Sequence, residues 1–356
     1  MVKMYFWPRL VCYIMHSHNT LPRMHSGLTE YKYAYNEIPM PKELSSSSTH
    51  SPSTPVLERL ESRITSRFAL VFATLTVLGL VVSFALAPNW GKVLALGVVE
   101  GVTEFLPISS TAHLIITADI INFEDNIGGT FEIFIQLGAV LAVIAFFMRQ
   151  LLAQVRSFTE SPTIRRFWYC LVIASVPGAA VGIVFRGWIK QVLFGSPEVL
   201  ALAMIAGGVI LIVVERMPQR MMITQNIEHM TYRQAVMIGI AQATAVLIPG
   251  ISRSGASIVG GMLSGLNRPT ATVFSFCLAI PILGGATILD LLGSLDQVTP
   301  DDASRLLLGT FVAFVVSWVA IGWLLNYVAS HSFRVFGIYR IIAGTIILIM
   351  IGLGWL

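Results

Sequence analysis

Charge is what this sequence has least of. Lys, Arg, Asp and Glu make up 12% of its 356 residues, where an ordinary soluble domain carries about 25%. Hydrophobic residues reach 55% and the mean hydropathy is +0.76. That shortage excludes a water-soluble globular chain and implies a protein that crosses a membrane several times. Cysteine is scarce as well. Cys12, Cys170 and Cys277 are far apart, which leaves neither a disulfide framework nor a metal-binding spacing. The formal net charge of +4 is informative by position rather than as a total, because basic residues in membrane proteins report orientation. No nucleic acid is expected as a partner.

Residues 1–65 differ from everything after them. They are polar, show no sustained period and end in "ELSSSSTHSPSTP". Such a tract cannot bury enough apolar surface to offset chain entropy and reads as a disordered tail. Met24 and Met40 are alternative starts within it. The apolar run "FALVFATLTVLGLVVSFALA" then gives residues 66–88 the length of an extra N-terminal transmembrane anchor. Its "ALA" ending has the form of a cleavage site, but the long polar region before it and Pro88 after it argue against removal.

Further spans are expected near 131–148, 167–186, 198–214, 270–292, 306–327 and 336–355. Two regions are too broken for ordinary spans: 92–121, interrupted by "FLPISS", and 233–265, interrupted by "IPGISRSG". Non-helical backbone at membrane depth survives only where protein or a water-filled cavity satisfies it. Both therefore read as re-entrant helical hairpins that meet inside the protein. The chain also repeats itself. Pro107 and Pro249 punctuate the hairpins, a serine pair follows each, and "IAGGVILIV" from Ile205 returns as "IAGTIILIM" from Ile342. This divides the chain into repeat 1, 89–218, and repeat 2, 219–356, each a hairpin plus three spans. Because three is odd, the halves must be oppositely oriented. The expected fold is an all-α integral membrane protein built as an inverted repeat, with its site at the interface near the midplane.

Basic residues set the direction. With a cytoplasmic N-terminus, the inner segments hold Arg149, Arg156, Arg165, Arg166, Arg216, Arg220, Arg233, Arg268 and Arg334. The outer ones hold only Lys92, Arg186, Lys190 and Arg305, beside Glu124, Asp125, Asp296, Asp301 and Asp302. That is the positive-inside pattern.

The hairpins carry the chemistry. In "VEGVTEFLPISSTAH", Glu100 and Glu104 are four residues apart, on one helical face about 6 Å from each other. Two carboxylates that close in low dielectric share a proton or hold a cation, and hard divalent cations prefer carboxylate oxygens. The alternative is that they line a hydrated vestibule or pair with an arginine. Ser109, Ser110 and Thr111 can cap the second hairpin helix, but three hydroxyls exceed what a cap needs. His113 falls on the face of Ser110 and suits proton chemistry. In "PGISRSGAS", Arg253 is flanked by Ser252 and Ser254, with Gly250, Gly255 and Ser257 nearby. Exposed amides at a helix start and a planar guanidinium make an anion cradle; the plainer role for Arg253 is to neutralise Glu100 or Glu104. Acids, hydroxyls and an imidazole from one half, with an anion cradle from the other, suit phosphoryl transfer. Glu132 and Gln136 in "FEIFIQLGA" are placed to support the site. Asp290 and Arg340 lie near span ends, where interfacial placement accounts for them.

"EGVTEFLPISSTAHL" and "PGISRSGAS", with "FEIFIQLGA" and "FSFCLAIP", resemble the signature motifs of the bacterial undecaprenyl-diphosphatase family, the bacitracin-resistance proteins. The similarity covers roughly residues 92 to 356. Ala112, where glycine is expected, and Ser257, where threonine is usual, are the visible departures. The resemblance implies a phosphatase of the bacterial plasma membrane that converts undecaprenyl diphosphate to the monophosphate carrier and inorganic phosphate for cell-wall synthesis. Bacitracin would sequester that lipid rather than bind the enzyme, and a homodimer is compatible with the pattern. It implies a divalent cation, Mg²⁺ or Ca²⁺, held by Glu100 and Glu104. The catalytic set would be Glu100, Glu104, Ser110, His113 and Arg253, with Ser109, Thr111, Ser252, Ser254, Gly255 and Ser257 around the phosphate, in a site opening to the outer face. Either Ser110, a water it positions, or His113 would attack. The rival reading is a lipid-phosphate transporter or flippase using the same midplane site.

Overall fold

A computed structural model describes residues 88–123, 130–189, 196–217, 224–294, 296 and 299–356. The polar tail and all of the expected anchor but Pro88 lie outside the described residues. Within them the chain is helical, with no strand and one isolated bridge, Thr224 to Leu266. The helices are α1 (Pro88–Thr103), α2 (Ser110–Ile120), α3 (Thr130–Phe146), α4 (Met148–Arg156), α5 (Pro162–Val184), α6 (Pro197–Val214), α7 (Tyr232–Leu247), α8 (Arg253–Leu263), α9 (Arg268–Ser294), α10 (Pro300–Ser330) and α11 (Arg334–Gly352). Five of these, α5, α6, α9, α10 and α11, are long and apolar enough to cross a membrane. α3 and α4 together make a sixth candidate, bent by 65° at Phe147.

Local sequence explains where several helices start. Ser161 caps α5 ahead of Pro162, whose missing N–H is harmless in the first turn. Thr231 with Gln234, and Thr299 with Asp302, form reciprocal capping boxes at α7 and α10. The two broken regions are helix–turn–helix units. α1 gives way after Thr103 to a turn that restarts as α2 at Ser110, and α7 gives way after Leu247 to one that restarts as α8 at Arg253.

Helices distant in sequence pack in pairs: α1 lies on α10 and α7 on α5, while α3 meets α9 and α6 meets α11. Small residues permit the close approach, as they do between membrane helices generally. A Cβ on Gly101 of α1 would stand 2.6 Å from Val316 Cβ of α10, and one on Gly239 of α7 would stand 2.8 Å from the Ala174 carbonyl of α5. A largely aromatic and aliphatic core fills the centre. It includes Phe105, Leu106 and Ile108 from the first turn, Ile258 and Val259 from α8, and Phe274 and Phe276 from α9.

Of the two ionisable residues expected at span ends, Arg340 departs from that placement and Asp290 does not. Asp290 is buried and paired with Arg186 at 2.8 Å. Arg340 is 1% exposed and lies at the hairpin turns. A charge inside apolar packing is tolerable only where its hydrogen-bonding capacity is met, and both residues find partners that the linear pattern does not show.

Candidate functional site

The two hairpin turns are built alike. Ser109 and Ser252 each precede a helix, each has φ of 76°, and each accepts a backbone N–H from three residues on: Ala112 at 3.4 Å and Gly255 at 3.1 Å. The left-handed region is uncommon for a residue with a side chain and persists only where surroundings enforce it. Among the described residues the only other non-glycine example is Asn122. In each turn the backbone reversal leaves the next residue, Ser110 or Arg253, at the first position of its helix.

Those two first residues converge on one carboxylate. Ser110 Oγ donates to Glu104 Oε2 at 2.5 Å, and Arg253 Nη2 donates to Glu104 Oε1 at 2.7 Å. The second guanidinium arm, Nη1, donates to the Ser275 carbonyl of α9 at 2.8 Å. Glu104 and Arg253 are 5% and 9% exposed along their side chains, so this is a buried ion pair. Glu100 lies one helical turn before Glu104, whose N–H donates to the Glu100 carbonyl at 2.9 Å. The Glu100 carboxyl is wholly buried and meets no hydrogen-bond donor among the described residues; the groups facing it are the Glu104 carboxyl, close enough to share a proton with it, and Arg253. An unsatisfied buried carboxylate is costly and marks a place that a proton or cation would complete.

Most of the remaining hydroxyls already have protein partners. Ser109 and Ser252 are caps. Ser254 Oγ donates to the Leu106 carbonyl at 3.0 Å, which ties the second hairpin to the turn of the first, and stands 3.1 Å from Ser252 Oγ. Ser257 Oγ is 2.7 Å from Ser275 Oγ and reaches the Arg253 carbonyl at 2.9 Å. Gly255 is tightly enclosed: a Cβ there would stand 3.2 Å from Arg340 Nη1 and 3.3 Å from Ser252 Oγ. Thr111 is half-buried in the first turn of α2, and Glu132 and Gln136 are half-buried on α3, which packs against both α1 and α2.

His113 shares a helix with Ser110 but turns elsewhere. Its Nδ1 is 2.7 Å from the Ser109 carbonyl and its Nε2 is 2.7 Å from Tyr339 Oη of α11. The two rings stack with centroids 5.7 Å apart. No hydrogen bond among the described residues joins His113 to Glu104, Ser110 or Arg253. The neighbouring Arg340 reaches four carbonyls. It donates to Pro107 and Gly250, one in each hairpin turn, at 3.2 and 3.0 Å, and to Ala203 and Met204 of α6 at 3.2 and 3.1 Å. Tyr339 and Arg340 lie outside the quoted motifs, and Ser275 lies within "FSFCLAIP" without being marked as a site residue. One signal was available, since an arginine within a span is costly and marks function or a specific partner.

Three or more His, Cys, Asp or Glu side chains close enough to hold a metal do not occur among the described residues. Two carboxylates do. Magnesium is typically held by one or two carboxylates together with substrate phosphates and waters, and the empty oxygens of Glu100 fit that demand.

Comparison with known proteins adds independent findings. The family model described as bacitracin resistance protein BacA matches residues 93–346. The chain is 45% identical over 271 residues to undecaprenyl-diphosphatase 1 of Burkholderia lata, covering 74% of this chain and 96% of that protein. It is 42% identical over 268 residues to the undecaprenyl-diphosphatase of Deinococcus radiodurans, covering 75% and 97%. With that of Parvibaculum lavamentivorans it shares 40% over 266 residues, covering 75% and 98%.

Proposed function

The chain belongs to the bacitracin resistance protein family, and from that premise we propose that it is a multi-pass membrane hydrolase that splits undecaprenyl diphosphate into undecaprenyl phosphate and inorganic phosphate. The reaction returns the lipid carrier to cell-wall polymer synthesis and opposes bacitracin, which sequesters the diphosphate. The observation that carries the site assignment is the meeting of Ser110, from the first hairpin, and Arg253, from the second, on the two oxygens of Glu104.

That meeting suits phosphoryl transfer. Ser110 Oγ already donates to a carboxylate, the geometry of a nucleophile beside its base. The serine oxygen attacks the terminal phosphorus while its proton passes to Glu104. The bridging P–O bond breaks and the lipid monophosphate leaves. Protonation removes the negative charge that holds Arg253 Nη2, so the guanidinium turns its fork to the equatorial phosphate oxygens as their charge develops. Water then attacks the phosphoserine, Glu104 returns the proton to Ser110 and inorganic phosphate is released. Glu100 and Glu104 are the residues to hold a divalent cation, Mg²⁺ or Ca²⁺, which when bound would offset the charge of the diphosphate. Backbone amides at the starts of α2 and α8 border the same space, where anions are favoured. The hydroxyls of Ser109, Ser252, Ser254 and Ser257 act chiefly by holding the turns, with Thr111, Glu132 and Gln136 around them.

The hairpins are re-entrant and the halves form an inverted repeat. Support comes from the reciprocal packing of α1 on α10 and of α7 on α5, and from the shared left-handed serine at each turn. With basic residues on the inner side, the site opens outward and the N-terminus is cytoplasmic. The test is inorganic phosphate release from a prenyl diphosphate by the purified, detergent-solubilised protein. A Ser110→Ala variant should lose nearly all turnover while binding substrate. Turnover within a few-fold of the parent protein would remove serine from the nucleophile's place.

A further inference from the structure

The pairing of His113 with α11 is the feature the mechanism above leaves unused. The Ser109 carbonyl can only accept, so His113 Nδ1, at 2.7 Å from it, must carry a hydrogen. Which ring nitrogen is protonated is set by the bond the other makes. In the neutral ring Nε2 is then a lone pair, and the hydroxyl of Tyr339, 2.7 Å away, is its donor. The two rings are nearly parallel, with an interplanar angle of 11°, so the plane of the imidazole is held as well as its tautomer. Tyr339 itself is kept in register by the residue after it. Arg340 is bonded to the carbonyls of Pro107 and Gly250, which locks this turn of α11 to both hairpins. Tyr339 is 43% exposed, so its hydroxyl lies between the imidazole and the surroundings of the protein.

We infer that Tyr339 is a positioning residue for the reaction: with the Ser109 carbonyl setting the Nδ1–H tautomer, its hydroxyl and ring hold the imidazole in place and supply the hydrogen-bond partner of Nε2. The inference rests on the proposed hydrolysis and adds to it a proton-handling role for His113, which shares α2 with Ser110. Among the described residues the phenol oxygen is the hydrogen-bond partner of Nε2, in line to pass it a proton. That makes Tyr339 matter to turnover without touching the reacting phosphorus.

The experiment uses the solubilised full chain. Tyr339→Phe keeps the ring and its stacking and removes only the hydroxyl. Its kcat should fall about tenfold with KM within about twofold, a fraction of the ~10²–10⁴ that a positioned acid or base supplies. In a His113→Gln background the same change should have no further effect. On ¹⁵N-histidine-labelled protein, the His113 signals should show a protonated Nδ1 and an unprotonated, hydrogen-bonded Nε2; in Tyr339→Phe the Nδ1–H tautomer should persist while the Nε2 signal moves as its donor is lost. A Tyr339→Phe protein of undiminished kcat beside an inactive His113→Gln would overturn the role of Tyr339 alone. Equal losses in both backgrounds, or an Nε2 signal unmoved by the substitution, would overturn it too. Full activity in His113→Gln would instead sink the role of the histidine from which the inference starts.

Discussion

Arg253→Ala, compared with variants that also remove the charge of Glu104, separates what the buried ion pair does for stability from what it does for turnover. The guanidinium holds Glu104 Oε1 at 2.7 Å and the Ser275 carbonyl at 2.8 Å, and both partners of the pair are almost wholly enclosed. Removing one partner of a buried pair costs about 3–5 kcal/mol, because the other charge is left uncompensated. The same deletion removes the cation that meets the phosphate. Arginines in that position are worth about 10³–10⁵ in rate in other phosphoryl-transfer enzymes, and a thousandfold loss is about 4 kcal/mol of barrier. Energies this similar cannot be told apart in the single variant. The double variant Glu104→Gln/Arg253→Ala can separate them. A glutamine keeps an oxygen for Ser110 Oγ but has no charge to neutralise, so thermal stability in detergent should recover most of what Arg253→Ala lost. Phosphate release should stay at least about 10³-fold down and lie below that of Glu104→Gln alone, which loses the base but keeps the arginine. Recovery of turnover together with stability would refute the phosphate role of Arg253 and leave it a structural counter-ion. An Arg253→Ala protein as stable as its parent would refute the energetic argument itself.

Replacing Arg340 by Met keeps bulk but leaves the turn carbonyls of Pro107 and Gly250 without the donors they have now. At about 1–3 kcal/mol per unsatisfied buried group, the variant should be less stable by about 2–6 kcal/mol, read as a lowered thermal midpoint in detergent. Arg340→Lys should fall between the two, since one ammonium cannot reach acceptors on both hairpins and α6. Stripping divalent cations with a chelator should abolish phosphate release and adding Mg²⁺ or Ca²⁺ should restore it. In Glu100→Gln, half-maximal activity should need a higher cation concentration. An unchanged cation dependence would remove Glu100 from the ligand set.

Much of this protein is legible along the chain because the evidence is local. The expected spans at 198–214 and 270–292 coincide with α6 and the body of α9 because apolar length is a property of consecutive residues. Breaks at "FLPISS" and "IPGISRSG" appear as turns because serine side chains cap the restarting helices there. The bend of 65° between α3 and α4 was less visible, since the apolar stretch carries on through Phe147. Arg340 was misplaced for a related reason. Its distance from a span end suggested an interface, while its actual acceptors are more than 85 residues away in sequence.

By itself the sequence determined the chemistry available: an acidic pair one helical turn apart, hydroxyls after a proline, and an arginine among small residues in a second broken helix. Periodicity places each of those side chains around the axis of its own helix, and it is silent about what stands opposite. Only the tertiary structure decided that Ser110 and Arg253 take separate oxygens of one glutamate, that Glu100 keeps both of its own without a donor, and that His113 faces Tyr339 rather than the acids. Those outcomes depend on how closely helices distant in sequence approach. That closeness is set by side chains too small to announce themselves, such as Gly101 beneath Val316 and Gly239 beneath Ala174.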